Sequence, residues 1–138
     1  MPYQIIDHTA DIGLKVRSRD FPGLLKDAAA GLYDLMTNPA SLSQGAAPFT
    51  IQLQAGNAGD LFLKWLRELL FLFSTRRLAA RQIEFQQISE TALEARIRPA
   101  VLDPRIHEQR REVKAVTYHA FQIEKKAEGW AAQVILDI

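Results

Sequence analysis

The chain has 138 residues, of which 48% are hydrophobic, a formal net charge of +1 and no cysteine. This length predicts one domain, residues 1–138, with a hydrophobic core of its own, and the apolar share excludes a disordered chain. The lack of cysteine excludes disulfides, thiolate metal sites and thiol catalysis, and it is compatible with a reducing cytosol. Neither a signal peptide nor a stretch of about 20 apolar residues is present, so we expect a soluble, cytoplasmic protein.

The first half of the sequence predicts three strands and one helix. Residues 3–6 are predicted to form a short strand, and residues 12–16 alternate as a half-buried strand does. Asp20 is a typical helix cap, and apolar residues then recur at helical spacing until Asn38-Pro39 ends the helix. Residues 49–54 alternate again, which indicates another strand.

The second half predicts a long helix followed by strands. Asn57 and Asp60 resemble a capping box before a helix over residues 58–78, which is apolar on nearly every side and is therefore expected in the core. Strands are predicted at residues 83–88 and 93–97, and a closing hairpin pairs residues 116–125 with 130–138. The order predicts an α+β domain, with two helices packed on one face of a mostly antiparallel sheet of about six to seven strands.

Catalytic motifs are missing from the sequence, but three polar segments are candidate sites. There is no phosphate-binding loop, dinucleotide fingerprint, His-Glu-x-x-His or Gly-x-Ser-x-Gly sequence. The segment from Asp7 to Asp11, which includes His8, could supply oxygen ligands to a hard divalent cation. Turn chemistry, in which Asp and Thr side chains satisfy backbone N–H groups, explains the same residues.

The other two polar segments lie near the end of the chain. Asp137 and the terminal carboxylate of Ile138 are adjacent anionic oxygen donors, and a cation is one group that could hold them. Glu112, Lys114 and His119 are polar residues that enter an otherwise apolar strand. A lysine near carboxylates could tune their charge or hold a phosphate, but an edge strand protected by charge gives the same pattern.

Four separated motifs follow one another from the start of the chain to its end. They are His8-Thr9-Ala10-Asp11-Ile12-Gly13; Trp65-Leu66 with Glu68-Leu69-Leu70-Phe71-Leu72-Phe73; Glu112 with Lys114-Ala115-Val116-Thr117-Tyr118-His119; and Asp137-Ile138. Together these motifs resemble the archease family over essentially the whole chain. Two departures concern Arg67, where the family often has Asn, and Ala120, where Gly is frequent.

The resemblance implies a non-enzymatic accessory protein for the GTP- and manganese-dependent RNA ligase of tRNA splicing. Such a protein promotes guanylylation of the ligase and multiple turnover, and it meets RNA only through the ligase. The metal ligands implied are Asp11, Asp137 and Ile138, with Ca²⁺ as the expected cation and Mg²⁺ or Mn²⁺ as alternatives. The further functional or second-sphere residues implied are His8, Glu112, Lys114 and His119.

Two other functions stay open at this point. One is a metal-dependent phosphohydrolase that acts on RNA ends, although such enzymes usually carry more convergent carboxylates and histidines. The other is a direct RNA-binding module built on two arginine clusters. The clusters are Arg76, Arg77 and Arg81, and Arg105, Arg110 and Arg111.

Overall fold

The computed structural model describes residues 2–7, 11–44, 46–103, 105 and 109–138. Within these ranges the chain forms two α-helices, eight strands and one 3₁₀ turn at Pro39–Ser41. The helices are α1 (Phe21–Met36) and α2 (Ala58–Arg76). The strands are β1 (Tyr3–Asp7), β2 (Asp11–Ser18), β3 (Ser43–Gln44), β4 (Phe49–Gln54), β5 (Leu78–Ile88), β6 (Ala92–Val101), β7 (Ala115–Lys126) and β8 (Gly129–Asp137).

Helix α1 begins where the sequence predicts. The Asp20 carboxylate accepts the N–H of Gly23 at 2.7 Å, and Pro22 occupies the first turn, where its missing N–H costs nothing. The helix ends at Met36 because Thr37 returns to an extended backbone. Its buried face consists of Phe21, Leu24, Leu25, Ala28, Ala29, Gly31, Leu32, Tyr33, Leu35 and Met36.

Helix α2 lies at the centre of the core. Asn57 caps it by accepting the N–H of Asp60 at 2.8 Å, as the capping motif predicts. The helix ends at Arg76, two residues earlier than predicted, because Arg77 adopts a left-handed conformation with φ of 57°. Trp65 is fully buried, and its indole N–H donates to the carbonyl of Leu25 at 2.9 Å, which joins the two helices.

The strands are divided between two antiparallel sheets. The first has the order β1-β2-β8-β7, so the strand nearest the end of the chain is paired on both edges. In the second sheet, β6 is the central strand. Strand β5 pairs with one edge of β6, and β3 and β4 pair with different parts of its opposite edge. Strand β5 begins five residues before the predicted start at Ile83, and β6 extends four residues beyond Ile97.

Both helices contact both sheets. Helix α1 packs against β1, β2 and β8 of the first sheet and against β5 of the second. Helix α2 packs against β7 of the first sheet and against β4 and β5 of the second. The predicted α+β class with two helices on antiparallel strands is thus confirmed, while the split into two sheets and the two-residue strand β3 were not predicted. No helix in the described ranges has the length and apolar composition needed to cross a lipid bilayer.

Candidate functional site

Two aspartates from distant parts of the sequence meet at the end of the first sheet. Asp11 on β2 lies directly opposite Asp137 on β8. Their neighbours Ile12 and Leu136 are fully buried, so the alternation along each strand turns both carboxylates to the face away from the helices. Directly opposed side chains on antiparallel strands lie with Cβ atoms roughly 4.5–5.5 Å apart. The register therefore forms a pair of neighbouring carboxylates, here called the Asp11–Asp137 pair.

The chemistry of this pair fits a hard divalent cation. Neither carboxylate forms a hydrogen bond or ion pair with any residue that the structure describes. Like charges directly opposite each other destabilise a sheet, and a cation between them removes that cost. Carboxylate oxygens are the donors that Ca²⁺, Mg²⁺ and Mn²⁺ prefer. Two such side chains cannot supply a complete ligand set, because Ca²⁺ binds about six to eight oxygen atoms.

The third ligand implied by the resemblance, Ile138, follows Asp137 immediately. Ile138 is half-buried, and its side chain packs against the core, which fixes the backbone at that position. In the part of the chain that the structure describes, no three side chains of His, Cys, Asp or Glu cluster as a metal site requires. A complete site therefore depends on backbone or terminal oxygens and on groups beyond the aspartate pair. His8 lies outside the described residues.

Lys114 is brought next to the aspartate pair. Its backbone N–H donates to the carbonyl of Asp137 at 2.7 Å, and its side chain is exposed. The next residue, Ala115, is the register partner of Asp137 on β7. Asp11, Asp137 and Ala115 thus form one row across three strands, with a lysine beside it. A cationic ammonium at this place favours anionic groups that approach the same end of the sheet.

Glu112 lies in a different cleft. It lines a space of about 210 Å³ together with Arg77 and Arg111, and neither Asp11 nor Asp137 lines that cleft. The described structure therefore places Glu112 in a basic surrounding and does not join it to the aspartate pair.

His119 lies on a bulge of β7. The pairing of β7 with β8 is interrupted between Thr117 and Gln122, and Ala120 within this interval has a left-handed backbone with φ of 52°. The hydroxyl of Thr117 donates to the carbonyl of Ile135 at 3.0 Å and accepts the N–H of His119 at 3.3 Å. The bulge leaves His119 exposed and the Tyr118 ring 59% exposed. Bulges of this kind re-aim side chains next to functional sites.

Arg67 of α2 contacts the strand at the bulge, an interaction that the sequence analysis did not predict. Its guanidinium makes two hydrogen bonds to the carbonyl of Val116, at 3.2 and 3.1 Å, and lies 4.6 Å from the centroid of the Tyr118 ring. Phe71, one helical turn after Arg67, is 54% exposed. We call Arg67, Phe71, Tyr118 and His119 the aromatic face. The sequence shows that Arg67 departs from the family pattern. It does not predict the contact of Arg67 with Val116, because the two residues are 49 positions apart.

The predicted arginine clusters are partly used in intramolecular pairs. Arg105 pairs with Asp103 at 3.2 Å, and Arg110 pairs with Asp34 at 2.9 Å. Arg81 donates to the carbonyl of Leu42 at 3.4 Å. Arg105 and Arg110 have carboxylate partners, which partly compensate the charge that the second cluster offers to phosphates. Arg81 donates only to a carbonyl, so its charge has no such partner in the described ranges.

Comparison with known proteins gives one consistent family. The model of the archease protein family (MTH1598/TM1083) matches residues 3–138. Protein archease of Methanosarcina barkeri is 31% identical over 140 residues, which cover 99% of this chain and 95% of that protein.

Solved structures share the fold. The solution structure of protein 1598 from Methanobacterium thermoautotrophicum has a TM-score of 0.79 at 25% identity and covers 99% of both chains. The crystal structure of an archease, possible chaperone, from Thermotoga maritima has a TM-score of 0.68 at 19% identity, over 98% of this chain and 96% of that one.

Proposed function

The chain belongs to the archease family, and from this membership we propose that it is an accessory protein that activates a GTP- and manganese-dependent RNA ligase. It promotes guanylylation of the ligase and lets each ligase molecule complete many turnovers in tRNA splicing or RNA repair. The observation that carries the proposal is the Asp11–Asp137 pair, which brings two family motifs from opposite ends of the sequence to one place.

The metal-binding part of the proposal assigns a divalent cation to Asp11, Asp137 and Ile138. Ca²⁺ is preferred because it accepts many oxygen ligands in flexible geometry, and Mg²⁺ or Mn²⁺ are the alternatives. When bound, the cation neutralises anionic charge, including phosphate charge that is brought near it. The two aspartates hold the cation at the sheet end, where their paired register keeps the two side chains adjacent.

The ligase-binding part assigns the partner to the surface beside this pair. Lys114 is exposed next to Asp137, and the aromatic face presents the exposed side chains of Phe71, Tyr118 and His119. Exposed aromatic side chains beside charged ones are typical of protein–protein interfaces. A ligase that contacts both elements would be held with its own reacting groups close to the cation.

A ligation time course tests the proposal. A cognate ligase is used at substoichiometric concentration, with RNA ends bearing a 2′,3′-cyclic phosphate and a 5′-hydroxyl. We expect product to stop near one per ligase without this protein and to exceed it many-fold with it. The protein alone should neither join RNA nor hydrolyse GTP, because the sequence has no nucleotide-binding loop.

The matched variants are Asp11→Asn and Glu128→Gln. Glu128 is an exposed carboxylate in the β7–β8 turn, outside the pair. We expect Asp11→Asn to lose activation and Glu128→Gln to retain it. Rapid GTP turnover by the isolated protein, or full activation by Asp11→Asn, contradicts the proposed function. Hydrolysis of a phosphorylated RNA end by the protein alone would support the phosphohydrolase instead.

A further inference from the structure

A second cleft lies between α1 and β5, away from the aspartate pair. Its volume is about 360 Å³, within the usual range of small-molecule sites, and neither Asp11 nor Asp137 lines it. Four alanines line it, two from each element, and their short side chains keep the space open. The alanines are Ala29, Ala30, Ala79 and Ala80. We call this space the α1–β5 cleft.

A buried hydroxyl lies in its wall. Tyr33 is 5% exposed, and its oxygen accepts the N–H of Ala80 at 2.9 Å. The proton of the same hydroxyl has no acceptor among the residues that the structure describes. Burial raises the pKa of Tyr33, so the hydroxyl stays a proton donor at all ordinary pH values. Because this hydroxyl lines the cleft, a ligand atom with a lone pair can accept its proton.

Two cations line the same cleft as this hydroxyl. Lys26 from α1 and Arg81 from β5 line the cleft, both are exposed, and neither forms an ion pair within the described ranges. The Lys26 ammonium lies 5.8 Å from the centroid of the Phe85 ring. The carboxylate that lines the cleft, Asp34, is engaged by the Tyr3 hydroxyl and by Arg110, both at 2.9 Å. The cleft therefore combines an apolar wall with an uncompensated positive rim.

We propose that the α1–β5 cleft binds a small organic anion with a flat apolar body, whose acidic group contacts Lys26 and Arg81. The body occupies the space above the alanines, and an acceptor atom of the ligand takes the Tyr33 proton. A neutral apolar molecule would leave both cations without an anionic partner. An inorganic anion would leave the apolar wall of the cleft exposed to water. The site is separate from the one assigned to ligase activation, so either assignment can fail without the other.

Two fluorescent probes test this with the full chain. The first is 1-anilinonaphthalene-8-sulfonate, which has an aromatic body and a sulfonate; the second is N-phenyl-1-naphthylamine, which has the same body without the charge. We expect the sulfonate probe to bind about tenfold or more tightly than the neutral one, since charge contacts with two exposed cations favour only the sulfonate. Equal affinities for the two probes contradict the proposal.

Variants then place the probe. We expect the Lys26→Gln/Arg81→Gln double variant to weaken the sulfonate probe about tenfold and leave the neutral probe unchanged. The matched control, Lys64→Gln/Arg98→Gln, changes two exposed cations elsewhere and should alter neither. Ala30→Leu, at an exposed helical position that tolerates leucine, should weaken both probes by filling the cleft.

The exposed ring of Phe71 provides the competing explanation, because such probes also bind surface aromatics. Phe71→Ser should leave the sulfonate probe bound. Loss of binding in Phe71→Ser, with binding retained in the Lys26/Arg81 variant, overturns the proposal. The charge variants change exposed side chains only, so they decide the matter even if Ala30→Leu proves less stable.

Discussion

Ala120 occupies a backbone conformation that suits glycine. Its φ of 52° places it in the left-handed region, which costs a residue with a Cβ about 1 kcal/mol or more. The resemblance to a family in which Gly is frequent here has a physical reason, because the β7 bulge needs that conformation. We expect Ala120→Gly to stabilise the protein by a few tenths to about 1 kcal/mol, after the entropy that glycine adds to the unfolded chain is subtracted.

Urea unfolding of both proteins measures this free energy. The matched control is Ala127→Gly, at an exposed turn residue outside the positive-φ set, which should be neutral or slightly destabilising. A less stable Ala120→Gly protein would show that the bulge holds Ala120 without strain.

Tyr33 predicts an alkaline loss of stability. Burial raises the pKa of Tyr33 above its usual value of 10.0, whereas in the unfolded chain it ionises near that value. The stability that comes from keeping Tyr33 neutral in the folded protein is therefore fully present below about pH 10. It is lost as the pH rises above that value, because the unfolded chain then releases the Tyr33 proton first. We expect the free energy of unfolding to fall less steeply above about pH 10 in Tyr33→Phe than in the native protein.

The measurement is urea unfolding at several pH values on both sides of about pH 10. Tyr33→Phe also leaves the Ala80 N–H without its partner, so it should be less stable near neutral pH by about 1 kcal/mol. That offset does not depend on pH. Identical slopes in the two proteins would mean that Tyr33 ionises as easily when folded as when unfolded.

Single residues differ in how far the sequence predicted them. The register of β2 and β8 brings Asp11 and Asp137 together, as the separated motifs implied, and the cation assigned to them stays a prediction. Glu112 was grouped with Lys114 by proximity in sequence; it lines a cleft with Arg77 and Arg111, and its functional role stays a prediction. The stacking of Arg67 on Tyr118 could not be predicted, because neither local spacing nor periodicity records contacts between a helix and a distant strand.

The pairing of β2 with β8 makes the aspartate pair sensitive to charge in two opposite ways. Asp137→Asn removes one of two opposed like charges, so in a chelator the variant should be more stable by about 0.2–1 kcal/mol. The same change removes an anionic donor, so its affinity for Ca²⁺ should fall. Asp11→Asn should behave alike.

Urea unfolding in chelator and calorimetric titration with Ca²⁺ measure the two effects separately. Glu128→Gln is the control for both, because it removes an exposed carboxylate outside the pair. Native Ca²⁺ affinity in both aspartate variants would leave turn chemistry as the explanation for Asp11.

The ends of elements were predicted less well than their existence. Strand β5 starts at Leu78 although residues 78–82 lack regular alternation, because a bulge between Ala80 and Gln82 shifts the pairing with β6 by one residue. Strand β6 continues through Pro99, a residue that local rules place outside sheet interiors. In both cases the partner strand determines the boundary, and local sequence carries no record of it.

At the scale of the whole molecule, alternation along each strand fixed which residues face the core but not which strands pair. The same alternate residues are buried whether the strands form one sheet or two. The sequence therefore could not distinguish the predicted single sheet from the two sheets of the structure. Helix α2 was correctly expected in the core, because apolar side chains on nearly every side leave it few exposed positions.

A chain extension tests the role of the residue after β8. In a protein produced with Ile138 as its last residue, a short Gly-Ser extension replaces a carboxylate with an amide carbonyl and removes one negative charge. We expect weaker Ca²⁺ binding and weaker ligase activation. Stability in chelator should change little, because the Ile138 side chain keeps its packing against the core.

The same extension placed before Met1 controls for the added residues and should leave Ca²⁺ binding unchanged. Calorimetric titration of the two extended proteins makes the comparison. Equal Ca²⁺ affinity in both would remove Ile138 from the ligand set and leave a site on Asp11 and Asp137.

The central position of β8 in the first sheet sets the order in which this protein can assemble. Strand β2, residues 11–18, cannot pair with β8 until residues 130–137 are available. The strands of the second sheet all lie within residues 43–101. Closing so long a loop costs entropy and slows folding. During synthesis, the second sheet can therefore pair while β2 still lacks its inner neighbour. Pulse-labelling hydrogen exchange should find β5 and β6 protected before β2, and the two aspartates should become neighbours only in the last cooperative step.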